Sequence, residues 1–205
     1  MLVKKIALLS LIGLGLISCS RGSSEQTEAS PVASPSPTPV SLPAPPSLDR
    51  VIVSTDGAMQ LTLPNGWQPE KALHDEAQLQ AYDPKKETFA IVLAEDRAKL
   101  PADLTLEKHS DLTRGVLVGN LTDPAVTQPT PLIRVGDHPA IQYRITGKIQ
   151  GLDVVYLHTT VETDDRFHQI LVWTAPAQFP PNQAELQRII GSFRERQSTT
   201  TERGS

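Results

Sequence analysis

Residues 152–174, LDVVYLHTTVETDDRFHQILVWT, read as two strands joined by a turn at Asp164-Asp165. Both arms, Leu152 to Glu162 and Phe167 to Thr174, are rich in the β-branched and aromatic residues that favour a pleated surface. With the turn at that position, Val155, Leu157 and Val161 share one face with Ile170 and Val172. Tyr156 and His158 share the other with Phe167, Leu171 and Trp173. Both faces are therefore apolar. An antiparallel pair with one wet face alternates apolar and polar residues, so this hairpin is expected in mid-sheet with cover on each side. The fold class that follows is α+β, an antiparallel sheet flanked by helices in an α/β/α sandwich.

Working outward, Arg50 to Ser54 and Met59 to Leu63 flank the turn signal Thr55-Asp56-Gly57 and predict an opening hairpin. Further strands are expected at Gln78 to Tyr82, Thr88 to Ala94, Pro131 to Val135 and Ala140 to Thr146, with turns at Asp83-Pro84, Gly136-Asp137 and Gly147. Two helices supply the cover. Asn182 with Glu185 three residues on resembles a capping box, and Leu186, Ile189, Ile190 and Phe193 then fall on one face. A second helix is expected around Thr105 to Val118, with Leu106, Leu112 and Val116 as its apolar stripe. Gly115 weakens that helix by roughly 1 kcal/mol relative to alanine.

This order of signals resembles the PsbP-like family. The resemblance is carried by a hairpin leading into Leu61-Thr62-Leu63-Pro64-Asn65-Gly66-Trp67, a later strand Ile170 to Thr174, then Ala175-Pro176 and a final helix ending Ile189-Ile190-Gly191-Ser192-Phe193. It spans most of Arg50 to Arg194 and implies an α/β/α sandwich on an antiparallel sheet. The corner also has a folding explanation. Gly66 tolerates the turn, and burying about 200 Å² of Trp67 is worth about 5 kcal/mol as an upper figure. The family includes lumenal extrinsic subunits of the oxygen-evolving photosystem, related cyanobacterial lipoproteins and bacterial lipoproteins of unknown role. The N-terminal segment with which photosystem subunits engage their complex has no counterpart in this sequence, where a proline-rich stretch occupies its place. The resemblance thus implies noncatalytic assistance to a membrane assembly, and no functional residue, cofactor or metal site is carried over.

The N-terminus reads as an address. Lys4 and Lys5 precede the apolar run IALLSLIGLGLI from Ile6 to Ile17, and Arg21 restores charge. A run of this length suits a secretory signal of about 7–15 apolar residues rather than a span of about 20. It ends in Leu16-Ile17-Ser18-Cys19, which resembles the bacterial lipobox, with Cys19, the only cysteine in the chain, as the lipid attachment site. Several acyl chains on Cys19 would hold the protein stably, where a single chain binds membranes only reversibly. The expected organisation is a signal peptide at 1–18, lipidated Cys19 and a Pro/Ser-rich linker at 19–49, the α+β domain at 50–194 and a disordered polar tail at 195–205. The linker, about 29 residues, would reach roughly 90 Å fully extended or about 30 Å as a coil.

Signs of catalytic chemistry are sparse. A single cysteine allows no intrachain disulfide, and a domain of this size needs none for stability. The net charge of −4, with no basic patch visible along the chain, argues against a nucleic-acid partner. His109-Ser110-Asp111 contains triad residue types, but helix neighbours point about 100° apart and cannot act in relay. Asp137-His138 reads as a turn before Pro139. His158 and His168 fall on opposite faces of the hairpin, which separates them as metal ligands, although His158 near Tyr156 and Trp173 remains a candidate for a small pocket. Glu162, Asp164 and Asp165 cluster at the hairpin tip with too few oxygens for calcium. The function expected is a noncatalytic, membrane-anchored extracytoplasmic lipoprotein that docks on or helps assemble an envelope or photosynthetic membrane complex. The alternatives are a small-molecule or ion-binding module and, third, a hydrolase.

Overall fold

The hairpin expected in mid-sheet stands there. The computed structural model describes residues 49–127 and 129–196, so the signal peptide, Cys19, the linker up to residue 48 and the tail beyond 196 lie outside the described residues. The strands are β1 (Arg50–Val53), β2 (Met59–Leu63), β3 (Gln68–Pro69), β4 (Leu79–Asp83), β5 (Thr88–Asp96), β6 (Thr122–Val126), β7 (Arg134–Val135), β8 (His138–Ile149), β9 (Leu152–Glu162), β10 (Arg166–Thr174) and β11 (Arg194–Glu195). The helices are α1 (Leu106–Gly119) and α2 (Phe179–Gly191). The main sheet runs β3-β4-β5-β10-β9-β8-β6, all antiparallel, with β7 paired to β8, and β1-β2-β11 form a second, small sheet.

The turn of the β9–β10 hairpin is closed by Thr163, whose N–H donates to the Arg166 carbonyl at 2.9 Å and whose hydroxyl accepts from the Arg166 N–H at 3.2 Å. Its register pairs Leu157 with Val172 and Tyr156 with Trp173, so the two faces are those expected. On one face Val155, Leu157, Val161, Ile170 and Val172 join a core with Leu61 and Leu63 of β2 and with Leu186, Ile189, Ile190 and Phe193. On the other, Tyr156 and Leu171 pack with Leu117 of α1, Leu121 and Ile145. A row of rings crosses four strands on this second face. Tyr82, Phe89, Trp173 and Tyr156 are paired directly in register, with successive centroids 6.4, 5.3 and 5.6 Å apart. Such cross-strand aromatic pairs each add about 0.5–1.5 kcal/mol beyond their area.

Both helices depart from expectation in detail. In α1 only Leu106 of the expected stripe faces inward: Leu112 and Val116 are 63% and 53% exposed, and the inward face is Leu106, His109, Ser110, Thr113 and Leu117. The sheet beneath the first half of α1 is polar, so the helix presents polar residues to it and the apolar pattern misleads. In α2 the helix starts at Phe179 with Pro180 in its first turn, where a missing N–H costs nothing. Asn182 is an interior residue whose amide donates to the Gln178 carbonyl at 2.8 Å, and Glu185 is not a cap.

The strand pattern also differs at the edges. Only Arg134–Val135 of the expected strand from Pro131 pairs, and β8 is longer than expected at both ends. Strand β6 was not anticipated, because Pro124 and a register shift suit only a sheet edge. Strand β11 takes in Glu195, one residue past the boundary drawn from composition, and Arg196 N–H still donates to the Ala58 carbonyl at 2.7 Å.

The Leu61–Trp67 corner is tied to α2 by charge. The buried Trp67 indole donates to Glu185 Oε1 at 2.8 Å, and Lys86 Nζ lies 2.6 Å from Glu185 Oε2. Gly66 adopts φ +100, and a Cβ there would stand 3.0 Å from the buried Asp83 Oδ2. Glu185→Ala is expected to lower unfolding free energy by about 1–3 kcal/mol. Glu185→Gln, whose amide oxygen still accepts from the indole, is expected to cost less. Urea denaturation followed by tryptophan fluorescence compares them, and equal costs would show that the Trp67 bond contributes nothing.

Candidate functional site

Polar residues under the first half of α1 form the most chemically varied part of the domain. Strand register sets its floor: Phe167 on β10 pairs with Glu95 on β5 and with Glu162 on β9, which lines up a ring between two carboxylates. Arg97, in the 3-10 turn after β5, forms an ion pair with Glu162, and its guanidinium stands 4.8 Å from the Phe167 centroid. His109 of α1 stacks on the same ring at 4.4 Å with the planes 16° apart. Its Nε2 stands 3.5 Å from Glu95 Oε2, close enough for attraction but loose for a hydrogen bond. His109 is the main influence holding the Glu95 carboxyl below its ordinary range; burial opposes it, and the Gln169 amide at 3.1 Å adds to it.

Deeper in the layer, His158 is wholly buried, with Nε2 3.2 Å from Thr113 Oγ1. Burial pushes its pKa down to about 4, so it is neutral at ordinary pH. Nδ1 of His158, both ring nitrogens of His109, Ser110 Oγ and Thr160 Oγ1 have no hydrogen-bond partner among the described residues. Beside the layer, at the start of α1, lies an open groove of about 400 Å³ lined by Arg97, Glu162, Pro139 and residues 102–107. Neither histidine lines it. The Thr105 hydroxyl in its wall caps α1 by accepting from Lys108 N–H at 3.3 Å.

The fold separates the residues singled out from the sequence. His109 and Ser110 are buried, whereas Asp111 is exposed and paired with Arg114 at 2.8 Å, so the three do not converge. Asp137 lies in the β7–β8 turn and His138 opens β8. His158 packs under α1 against Thr113. His168 lies on the other face, with Nε2 3.3 Å from Glu195 Oε1 and its ring 4.8 Å from that of Phe193. Glu162 turns to Arg97 rather than to Asp164 and Asp165. Among the described residues no group of three or more His, Cys, Asp or Glu is placed to hold a metal ion, and no helix is long and apolar enough to cross a membrane. Sequence reading missed Glu95, Arg97 and Glu195, each of which meets its partner only when elements distant in sequence pack together.

An antiparallel sheet with α1 on one face and α2 with a β-hairpin on the other is the PsbP-like fold. Cyanobacterial PsbP (CyanoP) from Synechocystis sp. PCC 6803 matches with TM-score 0.52 and 15% identity, over 78% of this chain and 98% of that one. LpqN of Mycobacterium tuberculosis, involved in cell envelope biogenesis, matches with TM-score 0.52 and 13% identity, over 73% and 91%. The protein Mog1, in a mutant form, matches with TM-score 0.51 and 11% identity, over 72% and 95%. At such identities the likeness establishes the fold alone. No family model and no curated protein sequence matches the chain.

Burial also pushes His168 down to about 4. Histidines that titrate near 6.5 when unfolded and about 4 when folded bind fewer protons in the native state. Stability is therefore expected to fall as pH drops from about 6.5 towards 4, by up to a few kcal/mol per histidine. Urea midpoints across that range should show the decline, and His158→Gln should flatten it; an unchanged slope would show that His158 does not titrate with unfolding.

Proposed function

We propose that this chain is a noncatalytic extracytoplasmic lipoprotein, anchored through acylated Cys19, whose domain docks on or assists a membrane protein complex. The observation that carries the reading is the extent of the structural likeness: it takes in 98% of the cyanobacterial PsbP chain and 91% of LpqN, a protein of cell envelope biogenesis. The lipobox-like string ending in Cys19 and the proline-rich segment behind it support a tethered domain free to reach a neighbour. Enclosure of His109, Ser110 and His158 under α1 is in keeping with an accessory role, since a general base or nucleophile must reach its substrate. Cys19→Ala is expected to move the protein from the membrane pellet to the soluble fraction, while crosslinking of the wild type in its native membrane recovers a reproducible protein partner. Retention of Cys19→Ala in the pellet would overturn the anchor, and a monomer without crosslinks would overturn the docking.

A second reading, a small-molecule or ion-binding module, is favoured by the unpaired nitrogens and hydroxyls buried beneath α1. A ligand that satisfied them, present at about 100 times its dissociation constant, would add about 2.7 kcal/mol of stability. Thermal unfolding across a panel of metal ions and metabolites tests it, and an unmoved midpoint throughout would remove it.

A further inference from the structure

The arginines of this domain differ in their partners. Around α1 the basic groups are paired off: Arg97 with Glu162, Lys99 with Asp96, Lys108 with Asp103 and Arg114 with Asp111. Six other arginines are exposed with no carboxylate at ion-pair distance among the described residues: Arg50, Arg134, Arg144, Arg188, Arg194 and Arg196. They are scattered along the sequence, which is why no basic patch is visible there, yet the fold gathers most of them along one seam between α2 and β8.

The contacts define that seam. Arg144 lies over the ring of Phe179, the first residue of α2, at 4.6 Å. Gln142, two residues back and on the same face of β8, exchanges side-chain hydrogen bonds with Gln187, and Arg188, one residue on, faces outward from α2, opposite its buried side of Leu186, Ile189 and Ile190. At the far end of α2, Arg194 Nη1 donates to the Gly191 and Phe193 carbonyls at 2.8 and 2.6 Å. A Cβ on Gly136 would stand 3.5 Å from that same nitrogen, so the β7–β8 turn adjoins it, and Arg134 holds this turn through the Asp137 carbonyl. From Phe179 to Gly191 the seam is roughly 18 Å long at 1.5 Å per residue. Carbonyl partners orient a guanidinium without neutralising it, and the exposed Asp137 of the β7–β8 turn offsets only part of the charge, so the seam is net positive.

An apolar group stands at its edge. Ile133, directly before Arg134, is 71% exposed, while its neighbour Leu132 packs against the core. We infer that the arginine seam along α2, with Ile133 beside it, is a docking surface for an anionic lipid bilayer and sets the orientation of the tethered domain. A plane of anionic headgroups meets only this face, and acidic groups on the far side are screened beyond about 10 Å. An isoleucine next to basic residues suits the headgroup boundary, where an apolar side chain leaves water while the charges meet phosphates. The chain outside the described residues enters at Asp49, before β1, and Ile52 of β1 packs on the same core as α2. The tether therefore joins the domain in the layer that contains α2, on the same side of the main sheet. The biological setting rests on the lipoprotein reading above; the surface itself does not.

The test omits the lipid. The hydrophobic cores of the described residues lie within 49–196, and the chain from residue 19 carrying Cys19→Ser contains all of that stretch. It is sedimented with phosphatidylcholine vesicles, plain or containing about 30% phosphatidylglycerol, at about 0.05 M and 0.5 M salt. Binding is expected only to the anionic vesicles and only at low salt. Arg134→Gln with Arg144→Gln should weaken it about tenfold or more, since each basic residue near a membrane surface contributes severalfold. Lys99→Gln with Lys108→Gln, an equal loss of charge beside α1, should change it less than twofold, and Ile133→Ser should weaken it. Thermal melts show that each variant is folded. No binding to anionic vesicles, equal binding to neutral ones, or equal effects of the two double variants would overturn the inference, as would a crosslinked protein partner seated on the seam. Because no acyl chain is present, the result stands whether or not Cys19 is acylated.

Discussion

A hairpin that is apolar on both faces cannot lie at the edge of a sheet or on its surface. Strands β9 and β10 have to be flanked by other strands in the plane and covered above and below, and the rest of the domain satisfies that demand. β5 and β8 take the flanking positions, α2 and the β1–β2 hairpin cover one face, and α1 covers the other. The ring row from Tyr82 to Tyr156 depends on the same register, because a slip of one residue would move every ring to the opposite face.

The two covers differ in character. Beneath α2 the interface is hydrophobic, with Leu186, Ile189 and Ile190 fully buried, and Glu185 adds a charged tie to Trp67 and Lys86. Beneath α1 half of the interface is polar, with His109, Ser110 and Thr113 of the helix facing a sheet that carries His158, Thr160, Glu95 and Glu162. Burying polar groups without partners costs about 1–3 kcal/mol each, so α1 is held less firmly per unit area than α2. Local opening of the domain should therefore begin at α1.

Function is harder to reach than fold because a surface is assembled from residues far apart in sequence. Nothing in an exposed arginine marks it as part of a surface until its neighbours are known. Arg134, Arg144, Arg188 and Arg194 belong to four different elements, and what joins them is the packing of α2 against β8 and the β7–β8 turn.

The sequence by itself determined the central hairpin and its two faces, the opening hairpin, the apolar face of α2 and the α+β class, because periodicity and turn residues act over a few positions. It also contains the N-terminal string ending in Cys19, whose resemblance to a lipobox is legible without any folded domain. Tertiary structure alone decided the inward face of α1, the start of α2, the edge strand β6 and the partners of His109, Glu162, Glu185 and His168. Each of these depends on what lies across the interface. Leu112 and Val116 look like core residues until the sheet beneath α1 proves polar, and Asn182 looks like a cap until Phe179 finds Arg144 and the helix extends back to meet it. Long-range pairing and burial are properties of the assembled layers, and no local pattern encodes them.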